Sequence, residues 1–173
     1  MWLHLLKIVL TIPVAYAFVY PLLTPAAGAG VFRDLALVGP AAATGIALAF
    51  LLAVFLYCRD LERALTLVQP EVRTATPRSV WLMFLIPYNF VEDFFIIANV
   101  ANSLRREARQ NKALHPFHGF GLLSGLAWCS LQIVSLIPHE IGSLAGFLAL
   151  PFWVVHWRLI RKVNAALTTQ QRI

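Results

Sequence analysis

Glu92 and Asp93 stand side by side within an apolar run, 80–104, that also holds Asn89, Asn99 and Asn102. A charged side chain at the centre of a bilayer costs about 2.5–3.5 kcal/mol on insertion scales, so two of them require a partner or water. Two chemistries fit this pattern. One is a proton or cation site, with the three asparagines as a candidate intramembrane polar shell. The other is polar glue, in which hydrogen bonds or an ion pair fix the segment in a bundle or against another subunit. Neighbouring helical positions diverge by about 100°, so the two carboxylates are expected to meet different surroundings. Glu92 and Asn99, seven residues apart, fall near one face.

The other reactive residue types are dispersed. His115 and His118 are separated by Pro116 and Phe117, a spacing that could grip one metal, but no thiol or carboxylate stands near them in sequence, and no metal is expected. His4 and His156 lie near the ends of apolar runs, and His139 precedes Glu140 in a turn. Cys58 and Cys129 occupy different depths of two runs and are read as unpaired core thiols. Trp81, Trp128, Trp153 and Trp157 read as interface belt or bundle packing. No nucleophile elbow, phosphate loop or zinc spacing occurs, so an enzyme is not expected, and no cofactor is identified.

The elements that must position these residues are apolar. Of the 173 residues 60% are hydrophobic and 13% charged, against about a quarter charged in a soluble domain. Mean hydropathy is +0.73 and the pI about 9.9. The net charge of +6 flanks the apolar runs, which points to anionic headgroups of a lipid bilayer; no nucleic acid is expected as a partner. The runs are 3–23, 41–58, 80–104 (broken at 87–89), 117–137 and 141–160, in a single helical domain, 1–173. Ala27-Gly28-Ala29 resembles a signal-peptidase site, but the first run is long for a signal sequence and is read as retained. The charged stretch 59–65 extends the second helix to Pro70, and Thr76-Pro77 reads as a helix start. Gly142 and Gly146 have the spacing of a close helix contact, and Gly125 offers another.

Counting charges decides how the third run is used. If it crosses, the basic residues divide five against nine. If it enters and returns on one face, Lys7, Arg59, Arg63, Arg73, Arg78, Arg105, Arg106, Arg109, Lys112, Arg158, Arg161, Lys162 and Arg172 gather on one side and Arg33 alone lies opposite, thirteen against one. Pro87 breaks the helix and Asn89 tolerates a turn. The expected fold is therefore all-α: a polytopic membrane bundle of four crossing helices plus a re-entrant or kinked helical hairpin. Five crossing helices are the alternative.

The stretch Trp81-Leu82-Met83-Phe84-Leu85-Ile86-Pro87-Tyr88-Asn89, followed by Ser103-Leu104 and Glu107, resembles a family of small bacterial integral membrane proteins that carry a "WL-x-x-IP-x-x-N" segment and then "SL-x-x-E". Phe152-Trp153-Val154-Val155-His156-Trp157 is similar to that family's closing "FW-I-I-Y-W" helix. The resemblance implies a membrane bundle and no particular activity. The expectation is a non-catalytic accessory or assembly subunit, bound to other membrane subunits or to itself. It would lie in the bacterial inner (cytoplasmic) membrane with both termini cytoplasmic. A small transporter or channel using Glu92 or Asp93 is the alternative, and a cofactor-binding membrane protein or enzyme the weaker one.

Overall fold

The computed structural model describes residues 2–23 and 37–170, apart from the side chains of 21 and 22. The Ala27–Ala29 motif, Arg33 and Arg172 lie outside the described residues. The α-helices are α1 (Trp2–Leu23), α2 (Pro40–Leu67), α3 (Asn89–Glu107), α4 (Leu122–Val134) and α5 (Glu140–Gln170), and the architecture is an all-α bundle. By length and composition α1, α2 and α5 are able to cross a membrane. Their outer faces carry exposed Leu, Ile, Val and Phe side chains, as lipid-facing helices do.

The fourth apolar run is shorter as a helix than as a run. Gly119, Phe120 and Gly121 have φ of 68°, 47° and 76°. This left-handed stretch, which glycine tolerates, delays the start of α4 to Leu122. Its 13 residues cover about 20 Å, less than the roughly 30 Å of a hydrocarbon core. α4 packs antiparallel to α5: a Cβ at Gly142 would collide with the Ile137 carbonyl, while Gly121 and Gly125 lie against His156 near the other end of α4. Gly142 is therefore needed for the tight turn between α4 and α5. Gly146 is in ordinary contact with Ser135, so the pair does not act as one close-packed motif.

The third run is not one helix. Pro77–Phe84 is a 3-10 helix, Ile86–Pro87 is a cis peptide, and α3 begins at Asn89. Thr76 precedes the 3-10 segment without a side-chain cap, and Ser79 returns to its carbonyl. Before the run, Thr74 donates its backbone N–H to Ser103 Oγ at 2.9 Å and its hydroxyl to the Asn99 carbonyl at 2.8 Å. The Gln69 N–H donates to Glu107 at 3.0 Å. The chain thus enters and leaves this segment at the same end of the bundle. That end also receives the C-termini of α2 and α5, since Arg63 Nη2 donates to Thr168 Oγ1.

α2 stops at Leu67, three residues before Pro70, because the residue preceding a proline disfavours helix. Arg73 closes its end, donating to the carbonyls of Val68 and Thr66 at 2.9 and 2.8 Å. The core lies between α2, α3, α4 and α5, built on Tyr57, Leu61, Ile97, Leu104, Trp128 and Ile160. A smaller cluster of Val14, Val91 and Leu136 fastens α1.

Candidate functional site

Glu92 and Asp93 sit in the first turn and a half of α3, just after the proline break. Both are buried, 5% and 2% exposed. Their directions differ, as the helical step requires. Glu92 turns toward α1, where Lys7 Nζ lies 2.6 Å from Oε2. The ammonium approaches off the hydrogen-bonding direction, so the contact is an ion pair rather than an aligned hydrogen bond. Lys7 also stands 4.2 Å from the centre of the Phe95 ring, one turn further along α3, where the ring face attracts the cation. Tyr88, in the break itself, lies within electrostatic reach of the Glu92 carboxylate. Around this pair Phe18 meets Phe90 edge to face at 5.2 Å, so α1 runs antiparallel to α3.

Asp93 turns inward. Tyr57, Cys58 and Cys129 lie within electrostatic reach of its carboxylate, and Oδ1 makes no hydrogen bond among the described residues. A buried carboxylate so placed has the chemistry to take a proton or a cation. Asn89 is close in sequence to both acids, and its Oδ1 is also buried without a partner among the described residues. Asn99 and Asn102 belong elsewhere. The Asn99 carbonyl receives Thr74 and Ser103, and Asn102 Oδ1 accepts from Arg105 Nη1 at 2.9 Å. The structure therefore groups Asn89, Glu92 and Asp93 near the break, while Asn99 and Asn102 serve the far half of α3.

A second buried polar centre lies between α2 and α5. His156 Nδ1 and the Tyr57 hydroxyl are 2.8 Å apart, and both residues have no exposed surface. Trp128, Trp153 and Trp157 surround Tyr57, each with its ring roughly perpendicular at 5.6–5.9 Å. Trp128 and Trp153 are thus core residues. Trp157 Nε1 donates to Asp60 Oδ2 at 2.6 Å, and Trp81 Nε1 donates to Glu62 at 3.1 Å. The sequence does hold a signal for the pair: Tyr57-Cys58-Arg59 and His156-Trp157-Arg158 each put a polar ring two residues before an arginine at the basic end of a run. The ends of α2 and α5 lie side by side, with Trp157 bonded to Asp60 and Arg63 to Thr168, and this brings the two rings together.

His115 and His118 are exposed in the loop before α4, and His139 accepts from the Ile141 N–H in the turn before α5. Among the described residues no group of three metal-binding side chains assembles. Cys58 and Cys129 are free and buried. Cys58 Sγ lies 3.7 Å from the Val80 carbonyl and 3.6 Å from Met83 Sδ, packing the 3-10 segment onto α2.

Comparison with known proteins returns no match: no family model fits the chain, and no curated protein or solved structure is detectably similar to it.

Proposed function

We propose that this chain is a non-catalytic integral membrane protein that acts as an accessory or assembly subunit of a larger membrane complex. The observation that carries the reading is the buried Lys7–Glu92 pair, which joins α1 to α3. The charge on Glu92 is thereby committed to holding a helix in place. Beyond that attachment α1 packs lightly: 11% of its most apolar stretch is buried within the chain, and Ile8, Ile12 and Val19 face outward. Such a helix has surface to share with a partner subunit or a second copy. In this reading the protein belongs to a bacterial inner membrane with both termini cytoplasmic, because the described arginines flank the end of the bundle where α2, α3 and α5 finish, while Lys7 is taken up by Glu92. The likeness to small bacterial membrane proteins is part of the same proposal. Of its "SL-x-x-E" motif, Ser103 and Glu107 anchor the 68–76 linker here.

One observation favours a second reading, a small transporter: Asp93 Oδ1 is buried without a partner among the described residues. Replacing Asp93→Asn and Glu92→Gln separates the two. Lost association with unchanged ion flux in liposomes supports the subunit. Abolished flux with unchanged association supports the transporter.

A further inference from the structure

A polar cavity of about 540 Å³ opens between α2 and α5, lined by Asp60, Arg63, Arg161, Asn164 and Thr168 among others. It lies where both helices change from apolar to charged, one turn beyond the Tyr57–His156 pair. Its charges are mixed rather than uniformly basic. Arg161 is 71% exposed and Arg63 is exposed, and each is held by a single weak contact, Arg161 by Asp60 at 3.9 Å and Arg63 by Thr168 at 3.2 Å, that an anion could replace. Among the described residues Asp60 is engaged through Oδ2 alone, by Trp157 Nε1 at 2.6 Å and Arg161 Nε at 3.9 Å.

Asn164 supplies the independent sign of a ligand. It is 4% exposed, and its Nδ2 donates to the Asp60 carbonyl at 2.8 Å, which fixes the amide's orientation. Its Oδ1, an acceptor, is left buried without a partner among the described residues. A buried acceptor without a donor costs about 1–3 kcal/mol, so this position calls for an N–H or O–H from outside the chain.

We infer that this cavity binds the head group of a zwitterionic phospholipid, phosphatidylethanolamine: Arg63 and Arg161 take the phosphate, and Asp60 and Asn164 Oδ1 take the ammonium. The arginine fork matches phosphate geometry. A primary ammonium brings three N–H donors for the carboxylate and the amide oxygen. Phosphatidylcholine has the same charges but no N–H, and phosphatidylglycerol has the phosphate without the cation. Trp157, an aromatic side chain with one wet edge, is the kind of residue that sits at headgroup level.

The test is native mass spectrometry of the full chain released from micelles containing equal amounts of dioleoyl-phosphatidylethanolamine, -phosphatidylcholine and -phosphatidylglycerol. The expected result is retention of the ethanolamine lipid about tenfold over the other two, the ratio that roughly one charge-assisted hydrogen bond supplies. Arg63→Gln with Arg161→Gln, both at exposed positions, should abolish the preference. Asp60→Asn keeps an acceptor for Trp157 and should turn the preference toward phosphatidylglycerol. Equal retention of the three lipids, a wild-type preference for phosphatidylglycerol, or variants that behave as wild type would overturn the assignment. Titration with glycerophosphoethanolamine separates the lipid from a free ester. No binding at millimolar concentration supports the lipid, and tight binding of the ester with no lipid preference refutes it.

Discussion

Cutting the Lys7–Glu92 pair on one side should damage the protein far more than removing both charges. The two side chains are 8% and 7% exposed and their charged atoms are 2.6 Å apart. At an effective dielectric of about 20 this separation corresponds to an attraction of roughly 6 kcal/mol. Taking two ions out of water costs several kcal/mol each, so the pair as a whole contributes little net stability. Removing one partner leaves the other charge buried and alone, which costs about 3–5 kcal/mol. Lys7→Met loses in addition the contact with Phe95, worth about 1 kcal/mol. Each of Lys7→Met and Glu92→Leu should therefore destabilise strongly, and the double variant should return to within about 2 kcal/mol of the wild type. Reversible unfolding in mixed micelles measures the cycle. Disulfide cross-linking between cysteines placed at positions 18 and 90, whose rings are 5.2 Å apart, reports whether α1 has come away. A double variant as unstable as the sum of the two singles would refute the reasoning, because it would mean that the two charges do not compensate each other.

Three further outcomes follow from particular contacts. Gly125→Ala places a methyl 2.5 Å from Ile97 Cγ2 and 3.0 Å from His156 Cδ2, so it should lower stability by about 1–3 kcal/mol in the same unfolding assay; an unchanged midpoint would show that α3 and α4 are not so close. Tyr57→Phe keeps the ring packing but leaves His156 Nδ1 buried and unpaired, with an expected loss of about 1–3 kcal/mol; a neutral result would mean that water reaches the histidine. Single cysteines at Arg73 and Arg109 should react with a membrane-impermeant maleimide from the same face of sealed vesicles, because Thr74 is bonded to Ser103 and Gln69 to Glu107. Labelling from opposite faces would contradict the return of the third run.

How far the fold was legible depended on what each residue controls. Apolar length and the Pro87–Asn89 break are local, and they foretold the helices and the interruption of run three. The same-end return of that run came from counting lysines and arginines, and the structure provides the bonds that make it, from Thr74 and Gln69 onto α3. The shortening of α4 was not legible, because two glycines around Phe120 do not declare three successive positive φ values. At the site, adjacency alone indicated that Glu92 and Asp93 would face different neighbours. The identity of those neighbours was hidden: Lys7 lies 85 positions from Glu92, and a lysine near the start of an apolar run reads as a side chain reaching for the headgroups. The Tyr57–His156 pair spans 99 positions and required the parallel alignment of α2 and α5 to be known first.

The central claim, that this chain is a subunit held together by its intramembrane charges, is tested most directly by native mass after gentle detergent extraction, with the co-purifying proteins identified. The account predicts a defined assembly heavier than the 19.3 kDa chain that is lost in Glu92→Gln. A lone monomer in the wild type, together with ion flux in liposomes that Asp93→Asn abolishes, would contradict it.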